Sequence, residues 1–316
     1  MKPLTHFKKT KILRNIFLSL SAIFALAIPA HAQNLYVSAQ TPGTGAYTHS
    51  ILEFTPLGVQ STYASRLSFP RGLAFDSLGN LFAAETLAPA DGVEVGKVLK
   101  FNLSNKATTL GSAAQFFFEG LAIDSTGNVY VMGTDTSPTA AGTIFKFTPS
   151  GERIVFGSVP GVPDNPVPNF GLVFDSVGNL YATASGAQTI YKFTPDGTTR
   201  TVFVGPSAFT EGTGPTGLAF DSYGNLFVST EGDPGNDTIL VFTPNGIKST
   251  FATRLTTPRG LAFDSSGNLF VAEAGVPEIP GGDILKITPG RVTTVFASGF
   301  GSPRFRPEFL TFGPPR

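Results

Sequence analysis

The chain has no cysteine and no tryptophan, two methionines and three histidines, and only 14% of its residues are charged. Each shortage removes a class of chemistry. Without cysteine there is no thiol nucleophile and no disulfide, so stability rests on core packing. Two of the histidines, His6 and His31, fall within the first 32 residues, which leaves His49 as the one imidazole beyond them. A Ser-His-Asp triad or a histidine-dependent lyase therefore has one candidate and no evident partner. No Gly-rich loop joins a strand to a helix, so nucleotide-binding motifs are absent. Helical periodicity is missing after residue 32, which points to an all-β chain.

Residues 1–32 have the layout of a secretory signal. Lys2, Lys8, Lys9, Lys11 and Arg14 form a basic region, an apolar run covers 16–28, and Pro29-Ala30-His31-Ala32 supplies a small-x-small cleavage site. The run is shorter than the roughly 20 residues a spanning helix needs. Cleavage predicts a mature N-terminus at Gln33, an exported protein (periplasmic or extracellular) and no transmembrane segment afterwards. The full chain balances 22 basic against 22 acidic residues. Loss of the five basic residues of the signal leaves 17 against 22, a net charge of −5. Such a surface excludes nucleic acid as a partner. Residues 33–316 are long enough to build one core as a single domain.

Repetition organises everything that follows. Gly72-Leu73-Ala74-Phe75-Asp76-Ser77-Leu78-Gly79-Asn80-Leu81-Phe82 recurs from Gly120, Gly171, Gly217 and Gly260. Each copy reads as an apolar strand, a tight Asp-Ser-x-Gly-Asn turn and a second apolar strand. The glycine closes the turn and the aspartate accepts its backbone N–H groups, so Asp76, Asp124, Asp175, Asp221 and Asp264 have structural work. The second strand starts at Asn34, Asn80, Asn128, Asn179, Asn225 and Asn268, at spacings of 46, 48, 51, 46 and 43 residues. A third segment ends in Thr-Pro-x-Gly, as at 51–58, 144–151, 190–197 and 239–246, and a fourth closes each unit. Four strands per unit, six times, predict a six-bladed β-propeller with four antiparallel strands per blade. The mature chain opens on a second strand, and Pro307-Glu308-Phe309-Leu310-Thr311-Phe312 matches a first strand. The last blade is therefore closed by N-terminal strands plus one C-terminal strand, which protects the ring's edges. The chain's 30 phenylalanines, all but Phe7, Phe17 and Phe24 beyond the signal, suit the wedge-shaped space between blades.

The pattern P-x-GLAFD-S-x-GN-LFVAE resembles the NHL-repeat propellers and the related gluconolactonase (senescence-marker-like) and streptogramin-lyase-like proteins, over essentially all of residues 33–316. The resemblance implies a six-bladed propeller that serves either as a binding module or as an enzyme. In gluconolactonase-like relatives a divalent cation is held by Glu, Asn and Asp near the starts of the first strands. Here those positions offer Glu119 and Glu308, with Arg71 between them.

In antiparallel blades the loops before strand one and between strands two and three share a face, opposite the uniform turns. These loops, 87–96, 158–169, 205–215, 275–282 and 298–306, are the long and variable ones, which marks the working side. The residue before each first-strand Gly, or at the matching position in the C-terminal strand, points into the channel mouth: Arg71, Glu119, Phe170, Thr216, Arg259 and Glu308. In ring order Arg259, Glu308, Arg71 and Glu119 alternate in sign. They either neutralise one another or form a polar throat that orients a ligand. Glu85, Glu231 and Glu273 end second strands on the same side and read as solvated carboxylates. Phe69, Phe116, Phe117, Phe118, Phe170, Phe209, Phe300 and Phe305 sit in or beside the same loops, where they form an aromatic rim or pack beneath it. Asp233-Pro234-Gly235-Asn236-Asp237 is a turn with the composition of a calcium loop. The reading as a whole is an exported propeller without a cofactor, calcium at that turn being the one exception. It binds a small molecule, glycan or protein at its loop face. The alternative is a divalent-metal-dependent lactonase-like hydrolase or a streptogramin-lyase-like enzyme.

Overall fold

A computed structural model describes residues 33–39, 49–87, 93–135, 141–162, 170–275, 282–298 and 306–314. The expected signal, Phe300, Phe305 and parts of four of the five long loops lie outside the described residues. The rest is all-β: six four-stranded antiparallel sheets, each a blade. Five blades run in chain order, at 70–114, 116–159, 172–204, 214–255 and 258–297. The sixth sets Pro307–Phe312 beside Leu35–Ala39, followed by His49–Phe54 and Gln60–Leu67. Its closing pair is in register at Leu35↔Phe312 and Val37↔Leu310. The inner strand of each blade contacts those on either side, and Pro307–Phe312 contacts both Pro258–Phe263 and Pro70–Phe75, which closes the ring.

The turns form as their residues dictate. Asp76 Oδ1 accepts the N–H groups of Leu78 and Asn80 at 3.0 and 2.8 Å, and its Oδ2 accepts the Asn80 side chain at 2.7 Å. Gly79 takes φ 82°, open to glycine without a Cβ clash. The same bonds recur at Asp175, Asp221 and Asp264.

Between blades, a second-strand aromatic receives the edge of the next blade's first-strand Phe. Tyr36–Phe75, Tyr130–Phe174, Tyr181–Phe220, Phe227–Phe263 and Phe270–Phe312 all sit with ring centroids 4.9–5.1 Å apart in T-shaped geometry. Each such pair contributes about 0.5–1.5 kcal/mol beyond area burial. Near the axis the first-strand glycines let the inner strands touch. A Cβ on Gly120 would lie 1.8 Å from the Phe170 carbonyl oxygen, and one on Gly217 equally close to that of Arg259.

That crowding positions the site. Each inner strand except Leu172–Phe174 slips register beside its glycine, as between Pro70↔Glu85 and Leu73↔Ala83, or in Pro307–Phe312 beside Phe309, which stands at the glycine's position. The extra residue of a bulge re-aims a side chain, here the residue before the glycine. In two blades a second-strand hydroxyl caps the glycine N–H: Gly171 donates to Thr183 Oγ1 and Gly217 to Ser229 Oγ, both at 2.8 Å.

Candidate functional site

The five residues before the inner-strand glycines, and Glu308 before Phe309 at the same position, meet at one end of the channel. Arg259 donates from Nε and Nη2 to the two oxygens of Glu231, at 3.2 and 3.0 Å, and from Nη1 to Glu308 Oε2 at 2.5 Å. Arg71 Nη1 reaches the same Glu308 oxygen at 3.2 Å and stands 3.4 Å from Glu119 Oε2. A chain of alternating charge, Glu231–Arg259–Glu308–Arg71–Glu119, thus spans the mouth. Phe170 lies beneath it, with the guanidinium carbons of Arg71 and Arg259 at 5.8 and 5.4 Å from the ring centroid. Thr216 is tied down by bonds to Ser229 and the Pro258 carbonyl.

Burial divides the carboxylates. Glu308 is fully buried; desolvation pushes its pKa up, but Arg259 and Arg71 outweigh it and hold the group below the ordinary carboxylate range. Glu119 is equally buried, and for it desolvation wins over Arg71, so its pKa is raised. Glu119 Oε2 has no hydrogen-bond partner. Arg259 is desolvated too, yet Glu308 and Glu231 fix its proton more firmly than in water.

Arg71, Phe170, Thr216, Glu231 and Arg259 line a cavity of about 490 Å³, completed by Ser185, Gly186, Gln188, Gly212, Thr213, Gly214 and Gly232. Glu119 and Glu308 do not line it. The completing residues carry no repeat signature and were missed in the sequence; a density of glycine and hydroxyl residues in 185–188 and 210–216 was the one available signal. Gln188 braces the wall by donating to the carbonyls of Thr210 and Thr213. Below the charged layer the channel continues as a cavity of about 350 Å³ lined by residues such as Leu73, Leu121, Leu218 and Leu261.

Other expected site residues lie elsewhere. Glu85 and Glu273 are not solvated strand ends: they accept the backbone N–H groups of Ser68 and Thr256, at 2.9 and 2.8 Å. Burial raises the pKa of both. Only Glu231 of that trio joins the mouth. Phe118 is fully buried among Phe145 and Phe147, and its neighbour Phe117 is exposed. Phe170 and Phe209 are buried as well, so the described loop aromatics make no continuous rim. Exposed apolar side chains gather instead at the opposite turns, at Leu57, Leu78, Leu103, Val177, Tyr223 and Ile247. His49 stacks on Phe69 at 4.7 Å, and burial together with Arg71 lowers its pKa. The 233–237 turn closes on itself: Asp237 Oδ1 accepts Asp233 N–H and Oδ2 accepts Thr257 N–H, both at 3.0 Å. Among the described residues, no group of three or more His, Asp or Glu side chains is arranged to hold a metal ion.

No protein-family model matches the chain, and no curated protein matches it in sequence. Solved structures do share its fold. A chain of a nidogen/laminin complex aligns with TM-score 0.65 at 18% identity, over 88% of this chain and 98% of that one. Virginiamycin B lyase from Staphylococcus aureus aligns with TM-score 0.52 at 19% identity, over 76% and 73%. A streptogramin B lyase gives 0.54 at 17% identity, over 87% and 76%. At these identities the likeness is one of fold, and it spans a protein in a binding complex as well as lyases.

Proposed function

We propose that this protein is an exported, NHL-like β-propeller that binds a ligand or partner through its loop face and channel mouth, without catalysing a reaction. The observation that carries this reading is the cavity of about 490 Å³ over Phe170, lined by both mouth arginines and by the small residues of three loops. Its volume suits a small ligand or the side chains of a docked segment. The charged layer beneath is preorganised: Glu231 and Glu308 are held by direct hydrogen bonds from Arg259, and Glu308 accepts another from Arg71, so little ordering remains to oppose binding. The nidogen/laminin neighbour, a propeller in a protein complex, supports a binding role for such a fold.

A hydrolytic site of the lactonase type needs several oxygen or nitrogen ligands and an open position for water. Here Glu119 and Glu308 have Arg71 between them, and its charge opposes a cation. Calcium, zinc and manganese are therefore expected to leave the melting temperature unchanged. A ligand at about 100 times its dissociation constant adds about 2.7 kcal/mol, so tight occupancy is visible. Stabilisation by a divalent ion that disappears in Glu119→Gln supports the enzyme reading instead. The binding reading is tested by screening a fragment library with ligand-observed NMR. Hits are expected whose signals are lost on Arg71→Ala. A library with no hit dependent on a mouth residue contradicts it.

A further inference from the structure

The two mouth arginines differ in how much of each is in use. All three guanidinium nitrogens of Arg259 are engaged by Glu231 and Glu308. Arg71 makes its ion pairs through Nη1 alone, and among the described residues its Nε and Nη2 have no protein acceptor. Its side chain is 20% exposed against 13% for Arg259, and it lines the cavity. A guanidinium held by one corner presents the parallel donor pair that matches a planar carboxylate. Phe170 lies beneath the guanidinium, its ring centroid 5.8 Å from the guanidinium carbon, a further favourable contact.

We propose that the cavity is a receptor site for a small organic carboxylate, gripped by the free Nε–Nη2 edge of Arg71. The inference rests on the binding function proposed above and gives its ligand a chemical class. Charge decides against the alternatives. Glu308 Oε2 is shared between two arginines, so Arg71 is only partly compensated and accepts a further anion. Burial raises the Glu119 pKa toward its neutral form, which weakens the nearest repulsion, and Glu119 does not line the cavity. A phosphate dianion needs more than one free cation beside these carboxylates, and Arg71 is the one the cavity offers. An organic cation meets no free carboxylate, because Glu231 is held by Arg259. The glycines at 212, 214 and 232 and the short side chains of Ser185 and Thr213 leave room for the ligand's body.

The test is an NMR titration of the exported protein, ¹⁵N-labelled, following the arginine Nε–Hε signals. Acetate, benzoate, acetamide, methylammonium and inorganic phosphate serve as probes. Acetate and benzoate are expected to shift the Arg71 signal saturably, whereas the other three leave it in place. Arg71→Lys keeps the charge but loses the fork, and should weaken benzoate binding about tenfold. Arg71→Ala should abolish it. Binding of acetamide or phosphate as tight as that of acetate overturns the carboxylate assignment, as does benzoate binding unchanged in Arg71→Ala. If uncharged fragments bind in an Arg71-dependent way and carboxylates do not, the cavity function stands and the ligand class falls. If no probe or fragment binds, both fall.

Discussion

Residues 65–85 and 253–273 are two copies of one unit, down to Pro-Arg-Gly-Leu-Ala-Phe-Asp-Ser. Their local structures agree. Arg66 and Arg254 take φ 60° and 63°, and Phe69 and Thr257 take φ 44° and 50°. Glu85 and Glu273 cap the same loop nitrogen. Yet the arginine each unit sends into the mouth differs: Arg259 is enclosed by two carboxylates, and Arg71 keeps most of its donors. The cause lies in the neighbouring blade. The blade before Arg259 adds Glu231, at the end of its second strand, to the Glu308 that both arginines share; among the described residues the second strand of the blade before Arg71 adds no such carboxylate. A repeat therefore sets where a side chain goes, and the adjoining repeat sets what it does there.

The strongest way to break this comparison is to remove the blade the two copies share. Deletion of residues 306–316 takes away the inner strand of the closing blade together with Glu308, the oxygen both arginines use. Loss of cooperative thermal unfolding, or aggregation through the exposed edge of Leu35–Ala39, is expected. An unchanged melting curve contradicts the closure.

Next in size is Arg259→Ala. It leaves Glu231 and Glu308 without their main partner, and stranding a buried charge costs about 3–5 kcal/mol. Chemical denaturation measures this directly. The matched pair Glu85→Ala and Glu273→Ala should each cost about 1.5–3 kcal/mol, the range for a hydrogen bond to a charged group. The two losses should be equal, because the loops are equivalent; a clear inequality would show that the copies differ locally as well.

The smallest effect is one of pH. Glu119 has a folded-state pKa raised above its ordinary 4.5. The stability its protonated form supplies is fully present below about pH 4.5 and is lost as pH rises through the folded value. Glu119→Gln should therefore be more stable than the parent at neutral and alkaline pH, and no more stable in acid. Urea midpoints at several pH values check this. A gap that widens in acid contradicts the sign.

The propeller was legible in full from the Asp-Ser-x-Gly-Asn and Thr-Pro-x-Gly repeats, because each turn encodes its own geometry. Where the six residues Arg71, Glu119, Phe170, Thr216, Arg259 and Glu308 lie could be read for the same reason, since five precede the repeated glycine and Glu308 occupies the matching position before Phe309. The fates of Glu85 and Glu273 were not. Their acceptors' partners, Ser68 and Thr256 N–H, lie 17 residues away in a loop whose left-handed backbone at Phe69 and Thr257 has no glycine to signal it. Phe117 and Phe118 misled because alternation along a strand sends only one of two neighbours inward. The cavity walls were unreadable for a further reason: small residues make space by what they lack, and a missing side chain leaves no motif.

In the proposed site the two arginines divide the work, Arg259 building the mouth and Arg71 serving the ligand. Arg71→Ala and Arg259→Ala compared side by side, each by urea denaturation and by benzoate titration, test it most directly. Arg71→Ala is expected to keep most of its stability, losing about 1.5 kcal/mol, and to lose benzoate binding altogether. Arg259→Ala is expected to lose at least twice as much stability. Equal destabilisation by the two substitutions, or benzoate binding retained in Arg71→Ala, would contradict the account.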